Sequence, residues 1–81
     1  AAQRILLESI AREAGPKGVH AAYVAIDAVI DLAWTREFFA DKPDDFFCQP
    51  ADIADEVFRI AHQPRSAWSF ESVIRPFGEV W

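Results

Sequence analysis

The sequence predicts an α/β fold with parallel strands, on three observations. The stretch from Ala1 to Ala14 has the spacing of an amphipathic helix. Gly15-Pro16-Lys17-Gly18 then stops it. An apolar run from Val19 to Ile26 follows, with His20 as its only strongly polar side chain. A helix, a tight turn and a strand apolar on both faces make the second half of a βαβ crossover. A parallel strand needs parallel neighbours, so the expectation is the C-terminal piece of a larger α/β protein whose first crossover strand lies upstream of Ala1.

Taken in order, the first helix carries Ile5, Leu6, Ser9, Ile10 and Glu13 on one stripe. Arg4, Glu8 and Arg12 lie on a more polar side, as two i,i+4 ion pairs. Gly15 is expected at the left-handed position that ends the helix, with Pro16 blocking its continuation. The strand from Val19 to Ile26 is expected inside a sheet, covered by helices on both faces. From Asp27 to Trp34 neither period holds, which predicts a loop. Thr35 to Ala40 suits a short helix with Thr35 near its cap, and Asp41 to Asp45 a solvated turn.

Pro50 is placed as the first residue of a second long helix, with Asp52 and Asp55 near its positive end. Ile53, Ala54, Val57, Phe58 and Ala61 are its expected buried stripe, and Pro64 marks its end. The last strand, from Trp68 to Ile74, alternates. Trp68, Phe70, Ser72 and Ile74 fall on one face, and Ser69, Glu71 and Val73 on the other, the pattern of a half-exposed strand at an edge or interface. Arg75-Pro76-Phe77-Gly78 turns into an aromatic tail ending at Trp81.

Composition bounds the function. With 81 residues there is room for one small domain, and such a chain buries only about 60% of its unfolded surface. Yet 52% of its residues are hydrophobic, with three Trp and seven Phe, more ring surface than one small domain hides by itself. A further segment, a second copy, or both are expected to cover the remainder. The net charge of −5 and scattered basic residues argue against nucleic acid. No apolar run approaches the roughly 18 residues of a membrane span, and no basic-then-apolar leader opens the sequence. Cys48, the sole cysteine, has no internal disulfide partner, which suits a reducing, cytoplasmic setting.

Few side chains suggest chemistry of their own. Tyr23 is the only tyrosine, but it sits in a predicted buried strand and Asp27, not Lys, stands four residues on; a packing role is favoured. His20, His62 and Cys48 match no zinc spacing. Asp41, Asp44, Asp45, Asp52, Asp55 and Glu56 lack the spaced oxygens and central glycine of a calcium loop. Phe38-Phe39 and Phe46-Phe47 either line an apolar pocket or pack the short helix onto the sheet, and both readings stand.

The order of these elements resembles one family, the short-chain dehydrogenases/reductases, over essentially all 81 residues. The carrying residues are Ser9-Ile10-Ala11-Arg12-Glu13-Ala14-Gly15-Pro16-Lys17-Gly18-Val19-His20, then Gln49-Pro50-Ala51-Asp52-Ile53-Ala54-Asp55, and last Gln63-Pro64-Arg65-Ser66-Ala67-Trp68 leading into the final strand. The resemblance implies the C-terminal part of a Rossmann-type doubly wound parallel sheet, a single NAD(P)-binding domain of which residues 1–81 are the last portion. It also implies a parent enzyme that moves hydride between NAD or NADP and an alcohol or carbonyl carbon.

In that family the loop after the buried strand closes over the nicotinamide with a Pro-Gly, an aliphatic residue and a Thr. The matching positions here are Asp27, Ala28, Ile30 and Leu32, of which Ile30 keeps the pattern. Trp34, Phe38 and Phe39 match the substrate lid. The family's Ser and Tyr-x-x-x-Lys would lie upstream, with the Lys immediately before Ala1, so no catalytic residue is expected in this chain. A trypsin-like cut after that Lys would produce this N-terminus. The implied partners are the upstream segment and further copies, through the helix from Ala1 to Ala14 (Leu7 and Ala11 as contacts) and the strand from Trp68 to Ile74. The alternative is a non-catalytic interaction module derived from the fold.

Overall fold

A computed structural model describes residues 2–78. Ala1 and the end of the aromatic tail, including Trp81, lie outside the described residues. The first helix, α1 (Ala2–Ala14), leads through a 3-10 turn at Gly15–Lys17 towards β1 (Tyr23–Ile26). The chain then forms β2 (Val29–Ile30), α2 (Ala33–Phe38), a 3-10 turn at Asp44–Phe46, β3 (Phe47–Cys48), α3 (Pro50–Ala61) and β4 (Glu71–Ile74). The architecture is mixed α/β, and both strand pairs are parallel: β1 with β4, Tyr23 opposite Glu71, and β2 with β3, Val29 opposite Phe47.

Residues in register share a face, so Tyr23 lies beside Glu71, and Val24 beside Ser72. Arg4 of α1 bonds Glu71 at 2.9 Å and holds its guanidinium 5.5 Å from the Phe70 ring, which seats α1 over the first face. Ala22 and Val24 approach Val57, Ile60 and Ala61 of α3 on the second. The two long helices therefore cover opposite faces of one parallel pair. His20 and Trp68 stack at 4.6 Å, and His20 Nε2 donates to the Ser69 carbonyl at 2.7 Å, binding together the segments that lead into β1 and β4.

Several expectations are corrected. The left-handed residue after α1 is Gly18, φ 89°, not Gly15. Pro16 is accommodated in one further 3-10 turn, closed by Gly18 N–H to Gly15 O at 2.9 Å, so the chain reverses three residues later. Regular pairing begins at Tyr23 rather than Val19, because His20 is engaged with Ser69 instead. The last strand begins at Glu71 rather than Trp68: the Gln63 side chain accepts from Ser69 N–H and donates to its hydroxyl, engaging that residue outside the ladder. Its alternation is as expected, with Ser72 and Ile74 half-buried and Glu71 and Val73 exposed.

Both long helices turn differently from expectation. On α1 the half-buried residues are Arg4, Leu7, Glu8, Ala11 and Ala14, while Ile5, Leu6 and Ile10 are exposed. The Arg4–Glu71 bridge draws the helix towards β4 and brings Leu7 and Ala11 inward, so these two serve the chain's own packing. On α3 the buried side chain is Ile60, with Ile53 half-buried; Ala54, Val57, Phe58 and Ala61 are exposed. Pro50 does open the helix, and the Arg4–Glu8 and Glu8–Arg12 pairs form at 3.0 and 2.8 Å.

Among the described residues, the buried apolar side chains are Phe47, Cys48 and Ile60. A folded monomer of this mass exposes about 4,900 Å², whereas this chain exposes 6030 Å². Its radius of gyration is 15.4 Å, against roughly 12 Å for a compact chain of the same length. Among the described residues no helix is long and apolar enough to cross a membrane.

The Gly18 conformation yields a test. A Cβ there meets Arg65 Nη2 at 3.3 Å, in a backbone region that L-residues avoid. Gly18→Ala is expected to destabilise the fold by about 1–2 kcal/mol, read as a lower urea midpoint with an unchanged slope.

Candidate functional site

The chain leaves the carboxyl end of β1 at Ile26 and makes a tight excursion before returning at β3. Such loops, beyond the carboxyl ends of parallel strands, are where open α/β sheets bind ligands. Thr35 anchors this one. Its side chain is 4% exposed; its hydroxyl accepts from Leu32 N–H at 2.8 Å and lies 2.5 Å from the Ile30 carbonyl, to which it donates. Thr35 thus stands in the first turn of α2, which begins at Ala33, and reaches back to satisfy the backbone ahead of the helix. The short helix starts earlier than expected for that reason.

A second set of bonds fixes the outer side. Asp31 receives both Arg36 Nε (2.7 Å) and Nη2 (2.9 Å), a two-pronged carboxylate–guanidinium pair, and Gln49 Nε2 at 2.8 Å. Arg36 also reaches Asp44 at 2.7 Å and lies 4.2 Å from the Phe47 ring centre. Asp31 N–H donates to Cys48 O at 2.8 Å, extending the β2–β3 ladder by one bond. Hydrogen bonds from Arg36, then from Gln49, hold the Asp31 carboxyl down at about 2. The Cys48 thiol is pushed up by burial and then by Asp52, which disfavours the nucleophilic thiolate.

These bonds shape a shallow apolar hollow of about 310 Å³, which gathers Ala28, Ile30, Leu32, Trp34 and Phe39 from the predicted set, with Val29 and Thr35. Asp27 and Phe38 stand outside it. Asp27 is an exposed carboxylate 3.6 Å from Arg75, and Phe38 is 78% exposed. Phe39, Phe46 and Phe47 continue as neighbouring rings, 5.4 and 5.1 Å apart between centres. Of the two readings of the phenylalanines, Phe47 packs in the core and Phe39 lines the hollow.

The hollow offers shape and carbon surface rather than acid–base chemistry. Thr35 has its hydroxyl turned inward, and Arg36 is held on the outer side by two carboxylates. Alternation along the ladder turns Ile30 N–H away from β3, since Asp31 is the residue that bonds to it. Among the described residues no group of three or more His, Cys, Asp and Glu side chains is placed to hold a metal ion. Sequence reasoning missed the Asp31–Arg36–Gln49 clamp. Its signal was available in an acidic residue ahead of a short helix with an arginine five positions on.

Compared with family models, curated proteins and solved structures, the chain matches none.

Two outcomes follow from the clamp and the anchor. A carboxyl held below its unfolded value stabilises the fold above pH 3.8 and loses that contribution as pH falls through about 2. Carbon-detected titration of Asp31 is expected to give a midpoint near 2, and Arg36→Gln to return it towards an ordinary aspartate value. Thr35→Val removes the bonds to Leu32 and Ile30 within a buried site. The expected loss is about 1–3 kcal/mol in denaturant unfolding, concentrated in the amide exchange of β2 and α2.

Proposed function

We propose that this chain is the C-terminal segment of an NAD(P)-dependent short-chain oxidoreductase, and that it supplies the nicotinamide-side wall and part of the substrate lid. The observation that carries the reading is the hollow just beyond the carboxyl end of β1. There the clamp gathers Ala28, Ile30, Leu32, Trp34 and Phe39, five of the seven positions matched to the family's cofactor loop and lid.

The residues suit one part of a dinucleotide. Ile30 and Ala28 offer an aliphatic surface to the face of a nicotinamide ring, with the Ile30 N–H as a backbone donor. Leu32, Trp34 and Phe39 would exclude water from the reacting carbon. When bound, the cofactor supplies or accepts the hydride. This chain's part is to orient the ring and keep the site dry, while proton transfer belongs to an upstream Tyr-x-x-x-Lys. Alone, the segment is inactive. The setting is cytoplasmic, and the partners are the remaining polypeptide and further copies, which meet exposed apolar side chains such as Ile5 and Leu6 on α1 and Val73 on β4.

The second reading is a non-catalytic interaction module, favoured by the number of large apolar side chains in solvent, Trp34, Phe58 and Phe77 among them. The coding frame ahead of Ala1 decides between the two. A serine and a Tyr-x-x-x-Lys whose lysine directly precedes Ala1 supports the enzyme; a frame without them overturns it. In the complete protein, Ile30→Glu would set a carboxylate against the ring. It is expected to weaken cofactor binding by tenfold or more, measured by quenching of protein fluorescence on NADH and NADPH titration.

A further inference from the structure

The β1 strand has β4 on one edge, and among the described residues no strand lies on the other. In a parallel ladder each residue turns its N–H and C=O to the same neighbour, and successive residues alternate sides. Tyr23 donates to Phe70 O at 2.6 Å and Asp27 to Ile74 O at 2.9 Å. The even-numbered residues between them, Val24 and Ile26, therefore turn their backbone groups to the open edge.

Two hollows flank that edge, and both include Ala22 and Val24. Leu6 and Ile10 of α1 wall the first; Val57 and Ala61 of α3 wall the second. Because α1 and α3 cover opposite faces, the hollows are two sides of a single slot. Leu6 is 63% exposed, Ile10 44% and Val57 46%. These are apolar walls facing water on both sides of a row of backbone donors and acceptors.

We propose that this slot receives an extended β-segment that is apolar on both faces and runs parallel to β1. Its backbone bonds Val24 and Ile26, while its alternate side chains enter the α1 and α3 hollows. The segment belongs to the polypeptide that completes the α/β layer. Three features select this occupant. Both strand pairs in the molecule are parallel. Helices over both faces require a strand without a polar side. The chain exposes about 1,100 Å² more than a monomer of its mass, comparable to the roughly 800 Å² each partner loses in a standard interface.

The proposal rests on reading the chain as part of a larger α/β protein and not on hydride transfer. The probe is an eight-residue Val/Ile peptide with a lysine at each end and a nitroxide at its N-terminus, titrated into the isotope-labelled 81-residue chain. Expected are at least tenfold slower amide exchange at Val24 and Ile26, and nitroxide broadening nearer Tyr23 than Ile26, which marks parallel entry. Leu6→Asp and Val57→Asp alter exposed side chains on opposite walls, and each is expected to weaken the peptide at least tenfold. Unchanged exchange at Val24 and Ile26 overturns the proposal. So does broadening nearer Ile26, or edge protection that appears with protein concentration in the absence of peptide, which would mean a second copy in the slot. Peptide binding with no Tyr-x-x-x-Lys encoded upstream leaves the slot standing and removes the dehydrogenase; an encoded motif without peptide binding does the reverse.

Discussion

The parallel ladder between β1 and β4 is the constraint on which the other elements depend. It joins strands roughly fifty residues apart, and closing a loop of that length opposes folding by about 3 kcal/mol before any further ordering. The hydrogen bonds of a four-residue ladder, at about 1 kcal/mol net each, offset that closure and little more. Fixing the paired backbone opposes folding by a further ~1–2 kcal/mol per residue. Burial around the ladder has to supply the rest. Arg4 reaches across to Glu71, His20 stacks on Trp68, and Ile60 closes against the second face. Each of these contacts joins the N-terminal part of the chain to the C-terminal part. The helices are turned as they are because they serve this pairing, which is why α1 presents Leu7 and Ala11 inward and leaves its most apolar stripe beside the open edge.

The excursion between β1 and α3 is organised on a different principle. Here the buried side chains include a hydroxyl, and the ordering comes from directed bonds: Thr35 to the Leu32 N–H and the Ile30 carbonyl, and Asp31 to Arg36 and Gln49. Gln49 is the residue before α3, so the clamp also fixes where that helix starts. Exposed ion pairs contribute little to stability on average. Their use here is geometric: two prongs on one carboxylate leave the loop little freedom, and the hollow that gathers Ala28, Ile30, Leu32, Trp34 and Phe39 keeps its shape.

Element types were legible in the sequence wherever local chemistry decides them. Pro50 begins a helix because its fixed φ suits the first turn, and the alternation from Ser72 to Ile74 reports a strand with one covered face. Faces and boundaries were less legible. The Ile5/Leu6/Ile10 stripe is as helical as the Arg4/Leu7/Ala11 stripe, and hydropathy alone prefers the first; a bond to Glu71, sixty-seven residues away, selects the second. The same holds for Val57 and Phe58 against Ile60 on α3. In the site, aliphatic and aromatic positions were identified from the resemblance, but the clamp that arranges them depends on Arg36 spanning Asp31 and Asp44, a choice made in three dimensions.

These misplaced faces have a common cause. Hydropathy patterns record the burial a residue is suited to in its complete surroundings, and on both long helices part of the apolar stripe lies beside the open edge of β1. Leu6 and Ile10 from one side, and Val57 and Ala61 from the other, meet at Ala22 and Val24. Had the two apolar stripes pointed in unrelated directions, the excess surface would read as ordinary exposure, since apolar atoms make up more than half of most protein surfaces. Their convergence on a strand edge that pairs with no other strand among the described residues is a different matter. A segment that supplies hydrogen bonds without apolar side chains would leave the hollows wet, and a helix that fills the hollows would leave Val24 and Ile26 unbonded. An extended strand with apolar residues on both faces meets both requirements at once. On the proposed docking, the stripes that hydropathy marks as buried on α1 and α3 are covered once that strand is in place.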